Sequence, residues 1–175
     1  EVRANAAMVE TRSSGVAQVI DNQRILELPL NGRQATDLIL LSGMATPSVG
    51  NALTGGIRSY PTQIISIAGG MSNGTTYLLD GGTHNDPYNN LNLPFPFPDA
   101  LQEFKVETSA LSAQYGQHSA GVVNAVTKSG TNDFHGDAFE FLRNGVLNAR
   151  NAFANSRDGL KRNQFGGTIG GPIQR

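Results

Sequence analysis

Hydrophobic positions along this chain alternate with polar ones in short stretches, and they recur at helical spacing in only one place. Strict alternation marks strands with one buried face. Its cleanest instance is Glu103-Phe-Lys-Val-Glu107, which sets Phe104 and Val106 against Glu103, Lys105 and Glu107. Residues 63–68, 75–79, 103–108 and 121–128 are predicted as strands of one small mixed sheet. Gly69-Gly70 and Ser72-Asn-Gly74 supply turn residues between the first two. Upstream, residues 1–20 alternate loosely and end in Val16, Val19 and Ile20, an arm that becomes a strand. Asp21 suits the N-cap of a short helix through Glu27, stopped by Pro29. The helical spacing falls at 32–41, where Ala35, Leu38, Ile39 and Leu41 make one apolar face after Asn31, and Gly43 ends it. This second helix is expected to pack on the sheet. Residues 45–61 are rich in Gly, Pro, Ser and Asn without periodicity and read as a long loop.

Beyond Thr127-Lys-Ser-Gly-Thr-Asn132 the texture changes. Residues 134–142 alternate with Phe139 and Phe141 on one side, and 163–173 alternate with Phe165 and Ile169 opposed by Gln164 and Thr168. Two segments of about ten residues, each with a slender apolar side, match the strand requirement of a membrane β-barrel. Phe139, Phe141, Phe165 and Ile169 are expected toward lipid. Arg143 shares the parity of the Phe pair, so that assignment requires it to sit at the membrane interface.

The segment Leu91-Asn-Leu-Pro-Phe-Pro-Phe-Pro-Asp-Ala100 fits neither helix nor central strand, because proline lacks a backbone donor and fixes φ. An extended loop carrying Phe95 and Phe97 remains. Its rings either form a pre-organised platform for a ligand or fold down onto Phe104 and Val106. Tyr88, Asn89 and Asn90 would add hydrogen-bonding groups beside an apolar floor.

The 175 residues are 38% hydrophobic and only 15% charged, with 21 Gly and a net charge of −1. That balance gives no broad electrostatic footprint for nucleic acid or an anionic surface. The absence of cysteine removes disulfides and thiolate metal sites. Neither a membrane-helix run nor a signal-peptide plan is present, and both ends read as cuts from a longer protein. His84, His118 and His135 are scattered, which does not suit a metal site. Asp80-Gly-Gly-Thr-His-Asn-Asp86 lacks the carboxylate rhythm of a calcium loop and reads as a strand end with a capped turn. With no phosphate-binding glycine motif and no nucleophile elbow, the chain is not expected to be an enzyme. No catalytic residue, metal or cofactor is assigned.

Several segments, in order, resemble the plug domain of TonB-dependent outer-membrane transporters. Thr75-Thr-Tyr-Leu-Leu-Asp-Gly-Gly-Thr-His-Asn-Asp86 resembles the strand and "DG…ND" turn of that domain, and Ile65-Ser-Ile-Ala-Gly-Gly70 its "I-x-I-R-G" strand. Ala110-Leu-Ser-Ala-Gln-Tyr-Gly-Gln-His-Ser-Ala-Gly-Val-Val-Asn-Ala-Val-Thr-Lys-Ser-Gly130 resembles the most specific signature, "A-x-Y-G-x-x-A-x-G-G-V-I-N-I-x-T-K-x-G". Ile20-Asp-Asn-Gln-Arg-Ile-Leu-Glu-Leu-Pro-Leu-Asn-Gly-Arg33 is similar to the Oar-like branch. Residues 131–144 and 163–172 look like the opening barrel strands of that branch.

The resemblance implies an α+β fold. A plug domain with a small mixed β-sheet and short helices would span 1–132, and the first antiparallel transmembrane β-barrel strands 133–175. It implies a gate that occludes the barrel lumen, helps bind ligand on the extracellular side and moves when TonB engages. Expected partners are TonB, through an N-terminal segment largely outside the chain, the protein's own barrel in the outer membrane, and a small-molecule, saccharide or peptide ligand. Tyr88, Asn89, Asn90, Phe95 and Phe97 become the ligand-side residues. The sequence departs from the family at Ala68 and at Thr108-Ser109, where many plugs carry the arginines that latch plug to barrel. A soluble carbohydrate-binding or adhesion module is the alternative, disfavoured by the two barrel-type segments.

Overall fold

The computed structural model describes residues 15–28, 30, 32–48, 64–115 and 119–172. Its strands are β1 (Val16–Asp21), β2 (Ala45–Pro47), β3 (Ile65–Ile67), β4 (Thr76–Leu79), β5 (Gly82–Thr83), β6 (Leu101–Ser109), β7 (Val122–Thr127), β8 (His135–Asn144) and β9 (Lys161–Gly170). The α-helix α1 (Asn22–Glu27) follows β1 directly. As expected, the Asp21 side chain caps it, accepting a 2.9 Å hydrogen bond from the Arg24 amide. Leu28, which precedes a proline in the sequence, leaves the helix with extended backbone. The expected arm at 1–14, the stop at Pro29, the cap at Asn31 and most of the expected loop 45–61 lie outside the described residues.

A five-stranded mixed sheet runs in the order β1-β6-β7-β4-β5, antiparallel throughout except for the parallel pair β4–β7. Its register builds two apolar rows on one face, Ile20–Phe104–Ala125–Leu79 and Val106–Val123–Tyr77. Phe104 and Val106 therefore point inward as their alternation requires. On the other face Lys105 and the buried Glu107 pair at 2.8 Å. That hydrogen bond holds the Lys105 pKa above its usual value. Tyr77 is fully buried in the core, and burial pushes its phenol pKa up to about 12.

Three expectations are corrected. First, 63–68 does not join that sheet: β3 pairs antiparallel with β2, which occupies the start of the expected loop. Ile65 and Ile67 reach the same core from the side. Gly121 permits this approach, because a Cβ there would lie 2.7 Å from Ile67 Cγ2.

Second, the helix of 32–41 is a 3₁₀ helix over Ala35–Ser42, with Gln34 as an N-cap that makes no side-chain bond. Gly32 and Arg33 both have positive φ and form a turn before it. A run of eight 3₁₀ residues is long for its type. Burial of Leu38 and Ile39 over β1, β2 and β6 holds it there, while Leu41 is left half exposed. Gly43 ends it in the left-handed conformation, as its position suggests.

Third, the two faces of the β8–β9 hairpin are divided differently. Antiparallel register places Phe139 opposite Gly166, Phe141 opposite Gln164 and Arg143 opposite Arg162. Those pairs lie on one face with Asp137 and Thr168. Phe165 pairs with Glu140 and Ile169 with Gly136, on the opposite face. Along β9 the even-numbered residues from Gln164 to Gly170 are half-buried, and Phe165 and Ile169 are 79% and 90% exposed. Phe139 and Phe141 turn toward the α/β body, away from the face that carries Phe165 and Ile169.

Candidate functional site

Two features stand out around the proline-rich loop. The first is a set of turns at one end of the sheet. Asp80 and Gly81 both take positive φ between β4 and β5, the backbone of a two-residue hairpin turn. Asp80 then accepts hydrogen bonds from the Thr127 amide and hydroxyl, tying the turn to β7. Asn85 is buried, and its side chain substitutes for a strand neighbour: Oδ1 accepts from the Tyr77 amide at 2.7 Å, while Nδ2 donates to the carbonyls of Thr75 and Asn90. That role was not read from the sequence, although a "DG…ND" spacing carries the residue.

Tyr88, Asn89 and Asn90 share one turn. Asp86 accepts from the Tyr88 amide, Asn89 accepts from the Leu91 amide, and the Asn90 side chain donates to the Asn73 carbonyl. Tyr88 itself is 85% exposed. The side-chain amides of Asn89 and Asn90 are thus partly committed to holding the loop, with the phenol presented outward.

Phe95 and Phe97 separate. Phe95 turns inward among His84, Phe104 and Tyr77, with ring centroids at 4.8, 5.9 and 6.3 Å. Phe97 instead meets Phe139 of β8 at 5.2 Å. Pro98 then opens a short 3₁₀ turn over Pro98–Ala100 that delivers Asp99. Phe95→Ala is expected to cost about 2 kcal/mol, less than a fully buried Phe because the ring is only half-buried. Phe97→Ala should cost less in the body and act chiefly on the β8 contact. Urea midpoints of the two variants check this, and an equal loss in both would contradict the division of labour.

The second feature is Arg33. Its Nη2 pairs with Asp99 Oδ2 at 2.5 Å, and both side chains are nearly buried. Its Cζ lies 4.6 Å from the Phe141 ring centroid and 5.7 Å from that of Phe139. Beside it the Gln164 side chain donates to the Gly32 carbonyl. A cleft of about 380 Å³, lined by Leu28, Leu30, Arg33, Phe141, Arg143 and Arg162 among others, opens at this joint. Neither Arg33 nor Asp99 was singled out from the sequence, since 66 residues separate them. Among the described residues, no group of three or more His, Cys, Asp or Glu is placed to hold a metal ion.

Residues 126–175 match the family model of an outer membrane beta barrel domain. The fold is similar to the siderophore receptor PirA from Acinetobacter baumannii, with a TM-score of 0.62 at 21% identity over 90% of this chain and 22% of that one. It is equally similar to a mutant of the ferric enterobactin receptor PfeA from Pseudomonas aeruginosa, with a TM-score of 0.62 at 18% identity over 94% of this chain and 23% of that one. In sequence and fold the chain is thus similar to TonB-dependent outer-membrane proteins, and its location is the outer membrane. Within that class it is 32% identical to the TonB-dependent transporter Oar of Myxococcus xanthus over 123 residues, which are 62% of this chain and 11% of Oar. It thus spans about a tenth of Oar and under a quarter of the receptors. These relatives are transporters and receptors, not enzymes.

Proposed function

We propose that the chain is the gate of a TonB-dependent outer-membrane transporter together with the first strands of its wall. Residues 1–132 act as the plug that occludes the barrel lumen, and residues 133–175 begin the barrel. The observation that supports this reading is the two-faced hairpin. One face of β8–β9 presents Phe139, Phe141, Gln164 and Thr168 to a folded body. The other leaves Phe165, Ile169, Leu142 and Ala138 bare, with Glu140 among them. A soluble module has no use for a bare apolar strand face, whereas a barrel wall needs one against lipid.

In this reading Tyr88, Asn89 and Asn90 form the ligand-side turn, and Phe95 and Phe97 anchor the loop behind it. TonB takes the segment before β1 and draws part of the plug aside, opening a path for a small-molecule, saccharide or peptide ligand. The test is accumulation of labelled candidates by cells expressing the full-length protein, with and without TonB and with the proton gradient collapsed. Uptake that stops in both deprived conditions is expected; uptake indifferent to both removes the transporter reading.

A further inference from the structure

Among the described residues, Ala68 and Thr108, where the sequence departs from the plug pattern it resembles, make no contact with the hairpin that would hold it to the body. Ala68 takes positive φ in the turn after β3, and the Thr108 hydroxyl donates to the Val16 carbonyl on β1. The joint between body and hairpin lies elsewhere. We infer that Arg33 is the latch, an interaction surface in which a body-borne cation is received by the aromatic face of β8. The inference rests on the plug-and-barrel reading above.

The chemistry suits a guanidinium and no other side chain. Arginine bonds carboxylate along its edge while its flat faces remain free to stack on aromatic rings. Here the edge meets Asp99 and the faces meet Phe141 and Phe139. The backbone is arranged for this, since Gly32 and Arg33 are both in the left-handed region, where a non-glycine residue is uncommon.

Which side supplies the counter-charge decides how the joint can open. Asp99 belongs to the body, so the ion pair departs with the plug and Arg33 keeps its counter-ion. The hairpin contributes rings and the Gln164 amide, contacts that can part and re-form. Nε of Arg33 is also buried without a hydrogen-bond partner, leaving the joint short of full satisfaction. Phe97, two residues before Asp99, packs on Phe139 in the same cluster. Displacement of the proline-rich loop would therefore move both the counter-ion and one wall of the latch.

The test uses the full-length protein in outer-membrane vesicles, with a cysteine reporter at Thr168. That residue faces the body across a cleft shared with Asp99, Ala100 and Lys128, and any cysteine elsewhere in the full-length protein is replaced by serine so that the reporter is the one reactive thiol. Labelling by a bulky maleimide should accelerate at least about tenfold in Arg33→Met and nearly as much in Arg33→Lys, which keeps the charge but not the flat faces. Arg24→Met, at an exposed arginine on α1, should leave the rate unchanged. If Arg33→Met does not reach the membrane, Phe141→Leu carries the test with the same expected acceleration. Unchanged labelling in the assembled Arg33 or Phe141 variant overturns the latch. The readout needs no transport, so it stands or falls apart from the uptake assay.

Discussion

Leu38→Asp is expected to abolish folding of the α/β body at ordinary temperature. Leu38 is fully buried at the centre of the cluster formed by Ile20, Ile39, Ile65, Phe104 and their neighbours. Removing its apolar side chain costs about 2–5 kcal/mol, and enclosing an unpaired carboxyl group adds about 1–3 kcal/mol even when it takes up a proton. Together these approach the whole stability of a small domain, roughly 5–15 kcal/mol. The control is Leu41→Asp. Sequence spacing puts both leucines on one helical face, but Leu41 is 46% exposed, so its replacement should shift little. Circular dichroism against urea measures both, since the chain has no tryptophan. Similar midpoint shifts for Leu38→Asp and Leu41→Asp would sink the placement of this helix.

What could be read in advance divides by the range of the interaction. Asp21 as a cap, the inward pair Phe104 and Val106, and the β8 and β9 segments follow from local periodicity and short-range backbone chemistry, and all are found. Periodicity says that a strand has two faces; it does not say what covers each. Phe139 and Phe141 looked like the lipid side because they are apolar, yet their partner is Arg33, far upstream in the sequence. Arg143, on the same face, was the available signal. An arginine in register with two phenylalanines fits a face turned to a polar-edged joint more readily than one immersed in lipid. Likewise β3 carries the right alternation, but alternation cannot choose between β2 and the main sheet as a partner. Arg33 and Asp99 were invisible for the same reason. Each is unremarkable in its own segment, and only the turn at Gly32 and the short helix after Phe97 bring them together.

The corrected faces change which substitution should block membrane assembly. Phe165 lies near the middle of β9 on the bare face, so Phe165→Arg places a charge where a barrel wall meets lipid. A midplane arginine costs about 2–4 kcal/mol in that setting. One neighbour modifies this figure: Glu140 is directly opposite on the same face and would pair with the new arginine. The full penalty is therefore expected in a Glu140→Leu background and a smaller one in the wild-type background. Glu140→Leu alone should assemble at least as well as the native chain. Thr168→Lys serves as the inward control, because Thr168 faces the body and is paired in register with Asp137, which can neutralise a lysine. Urea unfolding of the full-length protein refolded into bilayers gives the free energies. Spin labels in place of Phe165 and Thr168 give the access of lipid-soluble oxygen, which should be high at the first and low at the second. Equal oxygen access at the two positions, or a Phe165→Arg penalty unaffected by Glu140, would show that the bare face of the hairpin does not meet lipid.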